Sequence, residues 1–400
     1  MILVPDDPLD PNARFRERRR RARRNRRIRN GLFAIVLLGG AAVLAVGATR
    51  SGTESPSSAR VARPAPTKPV PEVDPLAPRK APAQIRGVHV TMALASLPGK
   101  LDEYFALRGL NTIELDVKDE NGEIGFVPSA VPMARKVGAA KPYYKPKVVA
   151  RDARRHGVYL IGRVVCFEDP VLSTKRPELA IKRPDGSVWA NDAGLGWTNP
   201  YDRRVWKYIV DIGAAAARSG FDEIQFDYVR FPSDGDLSQI VYPGKTKTPP
   251  GWVIAQFLQY ASKRLKPLGV RVTVDVFGLS ATRDLGIGQV PRRIGRYVDA
   301  IYPMVYPSHY NAGEYDLPNP NDYPGETVAS SLRHFRRELQ GSKAQLVPWL
   351  QDFTLGREYT LTDVQAQITA AIAAQSAGFL LWNPTGVYTE DALTFEPATR

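Results

Sequence analysis

Cysteine is almost missing from this chain: Cys166 is the single one in 400 residues. No intramolecular disulfide can form, and no cysteine-based metal site can be built. The residue lies in Val164-Val165-Cys166-Phe167, where a thiol reads as a small buried hydrophobe. A Gly-rich phosphate fingerprint is also missing after the first strand signal, which disfavours a nucleotide-binding fold. The body of the chain lacks a charge surplus as well. The formal net charge is +14, but residues 1–30 carry +7 through eleven Arg, and residues 50–83 carry +3. Only +4 is left for residues 84–400, so the basicity belongs to the tail and no nucleic-acid partner is expected.

What the sequence does have begins with one long uncharged run, GLFAIVLLGGAAVLAVGA, from Gly31 to Ala48. It is just long enough to cross a bilayer as a helix. The cluster from Arg14 to Arg29 abuts its N-terminal side, so by the positive-inside rule the N-terminus is expected in the cytoplasm. The expected organisation is a basic cytoplasmic tail over 1–30, a signal-anchor over 31–49, a spacer over 50–83 and an extracytoplasmic domain over 84–400. Cleavage near Val46-Gly47-Ala48, giving a secreted protein, is the rival reading. The spacer holds eight prolines and almost no large apolar side chain, a composition that favours extended conformations over a core.

Beyond the spacer, β-branched runs alternate with helical patterns. Strands are predicted near Ile85–Thr91, Thr112–Lys118, Val158–Phe167, Glu223–Val229, Val270–Phe277, Ala300–Tyr306, Gln345–Gln351 and Gly378–Trp382. Amphipathic segments such as Val148–Gly157 and Val205–Gly220 lie between them. Eight strand–helix units in about 300 residues point to a (β/α)8 TIM barrel. Its last helix, within 383–400, is poorly supported.

Strands covered on both faces normally read as continuous apolar runs. Here one face is polar. Glu114, Asp116 and Lys118 oppose Ile113, Leu115 and Val117; Gln225 and Asp227 oppose Ile224 and Phe226; Thr273 and Asp275 oppose Val272, Val274 and Val276. Helices cover the outside of a barrel, so the polar face is expected in the lumen. For Glu114 and Arg163 a paired polar plug and a functional role stay equally open. Asp227 and Asp275 sit at C-terminal strand ends, where barrel enzymes place their chemistry.

The segment Gly220-Phe221-Asp222-Glu223-Ile224-Gln225-Phe226-Asp227 resembles the strand-four motif of the α-amylase clan, whose final Asp is the glycosidic nucleophile. Its continuation, Asp227-Tyr228-Val229-Arg230-Phe231-Pro232, resembles the signature of the DUF4015 family of bacterial glycoside-hydrolase-like proteins. That resemblance runs from about Arg86 to Trp382. It includes Arg86-Gly87-Val88-His89, Asp116-Val117-Lys118-Asp119, Asp275-Val276-Phe277-Gly278, the run from Tyr302 to Tyr310, and Leu381-Trp382-Asn383. The clan pattern implies Asp227 as nucleophile, Asp275 at the acid/base position and Asp352 near the third carboxylate. Two departures stand out. The clan has Glu where this chain has Asp275, and Arg where it has Gln225. Arg230 is a candidate to supply the missing charge, and Glu168 and Asp116 compete with Asp275 for the acid/base role.

Glycosidic cleavage needs one carboxyl to protonate the leaving oxygen and another to attack or to activate water. Asp227 and Asp275 on neighbouring strands suit a retaining enzyme. Asp116, Lys118, Tyr228, Arg230, Tyr302, Tyr306, His309, Trp349, Asp352 and Trp382 are the candidate substrate-binding residues. Each aromatic among them competes with a plain core role. His89 and His309 are candidates to orient a substrate hydroxyl, and the insert carrying Trp189, Asn191, Asp192, Trp197 and Asn199 is a candidate cover for the cleft. The expected partners are a polysaccharide or oligosaccharide and the membrane, with no cofactor and no metal. Two rivals stay open: a carbohydrate-binding barrel without catalysis, and a metal-dependent hydrolase using Asp116, Asp227, Asp275 and His89 or His309.

Overall fold

The computed structural model describes residues 75–397. Nine parallel strands are formed among these: β1 Ile85–Val90, β2 Thr112–Lys118, β3 Tyr159–Val165, β4 Glu223–Asp227, β5 Arg271–Phe277, β6 Ala300–Met304, β7 Gln345–Leu346, β8 Trp349–Gln351 and β9 Gly378–Trp382. Their pairing runs around a closed ring, with β1 joined to β9 and β5 to β6. β7 and β8 are the two halves of one stave, since Pro348 has no N–H to give to a ladder. The pairing survives because the Pro348 carbonyl accepts from the Leu380 N–H at 3.0 Å. The result is an eight-stave parallel barrel of the expected (β/α)8 type.

The outward face of each stave is apolar. Ile113, Leu115, Val117, Ile224, Phe226, Val272, Val274 and Val276 are all fully buried in the layer shared with the helices. The main cover includes helices Pro146–Arg155, Arg203–Ala217, Pro250–Leu265, Pro324–Glu338 and Leu361–Ala373. Burying such side chains supplies roughly 1.5–3 kcal/mol each. Gly378, which opens β9, has φ 120°, and a Cβ there would lie 2.1 Å from the Ile85 carbonyl oxygen, so only glycine lets β1 and β9 meet. The last cover is a single helical turn, Glu390–Leu393, with Leu393 buried over Gly109.

The lumen is polar and layered. Near the N-terminal ends of the strands the Glu223 carboxylate accepts from Thr273 Oγ1 at 2.7 Å, Tyr302 Oη at 2.9 Å and Tyr159 Oη at 3.1 Å. Arg271 Nε approaches it to 3.5 Å. Buried polar groups persist only when so paired.

Residues 76–83, read from the sequence as the end of the spacer, lie against the barrel's N-terminal end. Arg79 pairs with fully buried Asp222 at 2.7 Å and donates to the Val158 carbonyl, while Arg154 donates to the Ala77 carbonyl at 2.9 Å. The apolar stretch 31–49 falls outside the described residues. Among those described, no helix is long and apolar enough to cross a membrane.

Candidate active site

The chemistry-bearing side chains gather at the C-terminal half of the lumen around Arg163 of β3. Its Nε and Nη2 donate to Asp227 Oδ2 at 2.9 and 2.6 Å, and its Nη1 donates to Asp116 Oδ1 at 2.7 Å. Glu120 lies 3.5 Å from the same Nη1. Two N–H groups converging on one oxygen anchor that oxygen and its charge. In the strand ladder Arg163 stands beside Gln225. A cation on the neighbouring strand therefore stands beside Gln225 and holds Asp227. Arg230, the sequence candidate for it, is used elsewhere: its guanidinium lies over Trp197, Tyr228 and Phe277 at 4.8–5.0 Å and donates to Ser233 Oγ and the Phe231 carbonyl.

Asp227 ends β4, and the chain turns sharply there. Tyr228 has φ 49°, left-handed backbone that a bulky residue adopts only under constraint. The turn brings the Tyr228 N–H onto Asp227 Oδ1 at 2.7 Å. Both carboxylate oxygens of Asp227 are thus held, at 6% exposure.

On the adjacent stave, Asp275 accepts from Gln225 Nε2 at 2.5 Å and from Trp349 Nε1 at 2.7 Å, both through Oδ1. Oδ2 takes neither bond. Burial, followed by the nearby Asp227 charge, pushes the Asp275 carboxyl well above the usual range. Gln225 and Trp349 oppose the shift without cancelling it. The shift favours the protonated form of the side chain, with both donors on Oδ1.

Behind this pair lie Glu114 and His89. Glu114 Oε2 meets His89 Nδ1 at 2.5 Å, and burial raises the Glu114 carboxyl well above its ordinary value. Burial lowers His89 to about 4. The imidazole ring packs 4.5 Å from Trp382, which in turn stands edge-on to Trp349. Burial also raises Asp116, against the pull of His89 and Arg163.

The other sequence candidates divide. Tyr306 lines a pocket of about 50 Å³ with Phe277, Leu279, Met304, His309 and Tyr310. Burial holds His309 neutral, with its value lowered to about 4. Glu168, a competing acid, accepts from Asn191 Nδ2 at 3.2 Å. Three candidates are not at the cleft. The β2 register slips between Asp116 and Lys118, and the fully buried Lys118 ammonium is held by the Val165 carbonyl and Asp169. Tyr302 belongs to the Glu223 layer. Asp352 spends both oxygens on the Thr389 N–H and hydroxyl, clamping the segment after β9. In the insert, Trp189 and Trp197 are fully buried; Trp197 reaches the cleft wall through Arg230, and Asn199 donates to the Pro243 carbonyl.

The residue given too little weight from sequence is Arg163. Its signal was a lone guanidinium inside the apolar strand Tyr159–Val165, a place no charge occupies without partners.

Comparison with known proteins assigns the chain to a family. The model of a family described as "Putative glycosyl hydrolase domain", DUF4015, matches residues 87–388. No curated protein matches. A solved hypothetical protein from Ruminiclostridium thermocellum ATCC 27405 is 36% identical over 47% of this chain and 97% of its own, with a TM-score of 0.43. The PgaB (BpsB) glycoside hydrolase domain from Bordetella bronchiseptica aligns over 75% of this chain and 94% of its own, at 12% identity and a TM-score of 0.53. A GH20 exo-β-N-acetylglucosaminidase from Vibrio harveyi aligns over 78% of this chain and 53% of its own, at 14% identity and a TM-score of 0.50. At the latter two identities the likeness establishes the barrel fold alone.

Proposed function

We propose that this chain, which belongs to the DUF4015 glycosyl hydrolase family, cleaves or transfers glycosidic bonds of an envelope or extracellular polysaccharide with retention of configuration. The observation that carries the reading is the contrast between two neighbouring carboxyls. Asp227 is an ion-paired carboxylate held by Arg163, and Asp275 is a carboxyl raised by burial whose Oδ2 takes neither the Gln225 nor the Trp349 bond. Separating two carboxyls in this way assigns base and acid roles.

In the first step an Asp227 oxygen bonds to the anomeric carbon while Asp275 Oδ2 passes its proton to the departing glycosidic oxygen. In the second, water attacks the same carbon, gives its proton to Asp275 and releases Asp227. Trp382 and Tyr228 supply flat surfaces on which a sugar ring packs. Placement outside the cytoplasm, with residues 31–49 as anchor, rests on the eighteen uncharged residues behind an Arg cluster. The metal-dependent alternative is weakened because a guanidinium fills the space between Asp116 and Asp227 where an ion would have to sit.

The test is incubation of the full-length chain with an array of envelope glycans, followed by assay for new reducing ends. Release by the native chain and none by Asp227→Asn is the expected result. Glycan binding with no release from any polymer would leave the non-catalytic binding barrel as the better reading.

A further inference from the structure

The dyad behind the carboxyl pair takes no part in that chemistry. Glu114 is fully buried and His89 is 2% exposed. Their contact runs from Glu114 Oε2 to His89 Nδ1, while His89 Nε2 is buried with no hydrogen-bond partner. That nitrogen lies 3.7 Å from Asp116 Oδ2, too far for a hydrogen bond and close enough for one oxygen atom to reach both. Asp116 Oδ1 is already held by Arg163, so Oδ2 is the oxygen turned toward His89 Nε2. The imidazole ring cannot swing away. Glu114 holds one edge, Trp382 packs 4.5 Å from its centre and Trp349 stands 6.5 Å off, edge-on.

The protonation pattern follows from burial. A carboxyl inside the lumen with no cation of its own is more stable neutral than charged. Neutral Glu114 donates to Nδ1, so the ring proton of neutral His89 sits on Nε2. The cleft wall then presents one donor, His89 Nε2–H, and one acceptor, Asp116 Oδ2, side by side next to an aromatic face. A hydroxyl group accepts and donates at the same oxygen. It satisfies both atoms at once, which neither a bare acceptor nor an ammonium group does.

Resting on the glycoside hydrolase reading, we propose that His89 Nε2 and Asp116 Oδ2 together hold a single ring hydroxyl of the sugar in the reacting subsite. Trp382 lies against the face of that sugar. Glu114 is a positioning residue that acts through His89 by fixing its tautomer. The substrate class is accordingly a glycan whose reacting residue carries a free hydroxyl on the side of the ring turned toward β1 and β2.

The test separates binding from turnover. Methyl glycosides of common hexoses are titrated into the full-length Asp227→Asn chain by NMR, and the monodeoxy analogues of the tightest binder follow. One deoxy analogue is expected to bind about tenfold more weakly or worse, the penalty for leaving a buried polar pair unmatched. In a chain that also carries His89→Ala, the parent glycoside is expected to lose about tenfold, with little further loss for that analogue. Glu114→Gln, whose amide N–H can still donate to Nδ1, should keep affinity within about twofold, and Glu114→Ala should not. Nitrogen-15 spectra of the imidazole report the tautomer directly. A proton on Nδ1, equal losses for every deoxy analogue, or no saturable binding by any glycoside would overturn the inference. Release of reducing ends by the native chain would meanwhile stand independently, so failure here is distinguishable from failure of the hydrolase reading.

Discussion

The two halves of the lumen use the same alternation of polar and apolar residues and reach opposite outcomes. In the lower half, one carboxylate, Glu223, is met by three hydroxyl or phenol donors and approached by Arg271. In the upper half, Asp116 and Asp227 pair with one guanidinium, Glu114 lies near it, and Asp275 stands close to Asp227. His89 Nε2, Glu114 Oε1 and Gln225 Oε1 are left buried without partners among the described residues. The lower arrangement is what stability selects. The upper one carries buried polar atoms that folding alone penalises, and such excess marks the part of a fold that meets a ligand.

The largest effect that would break this contrast lies with Asp227. Asp227→Asn should lower turnover by about four orders of magnitude or more while leaving the circular dichroism spectrum unchanged. Retained turnover would remove the upper layer's claim to the chemistry. Arg163→Met comes next. It strands two carboxyls in the lumen and should cost about 3–5 kcal/mol in urea unfolding, along with all activity. A loss under about 1 kcal/mol would show that the upper layer does not depend on its single cation.

A pH series sharpens the comparison. Glu114 has a raised value in the folded state, so its contribution to stability is complete below the unfolded carboxylate range and disappears as pH rises through the raised value. Glu114→Gln removes that loss. The variant should therefore gain on the native chain as pH rises above the ordinary carboxylate range, by about 1.4 kcal/mol per pH unit for as long as the native carboxyl keeps its proton. Parallel stability curves would contradict a buried neutral Glu114. The smallest effect belongs to the lower layer, where Glu223→Gln should cost about 1–3 kcal/mol, from imperfectly matched buried bonds, and leave turnover within a few-fold. Abolished turnover there would erase the distinction between the two halves.

The barrel itself was open to reading from the sequence, because strand periodicity and strand–helix alternation are local properties. The eight staves, the inward polar face and the weak final helix all follow from it. The broken seventh stave was harder to see, since Pro348 sits inside a run that otherwise reads as one strand. The docking of the last spacer residues is likewise not visible in the sequence. Residues 76–83 look like linker by composition, and only Asp222 and Arg154, far along the chain, give them a place to dock.

The site was legible at the level of residue type. Asp227 and Asp275 announced themselves by their positions at strand ends, and the family motif pointed the same way. Lys118, Tyr302 and Asp352 looked equally eligible by residue type and were claimed by other partners. A side chain's partners depend on register and loop path, and neither is encoded locally.

The sequence by itself determined the closed parallel barrel, the polar lumen and the identity of the carboxyl groups within it, because alternation along a strand dictates which face a residue takes. Tertiary structure alone decided which carboxyls carry protons and which cation serves them. Arg163 reaches Asp227 across 64 positions of chain, and Glu114 and Asp275 become acids only once the barrel has closed and excluded water around them. Charge state is a property of the assembled environment, and that environment exists only in the fold.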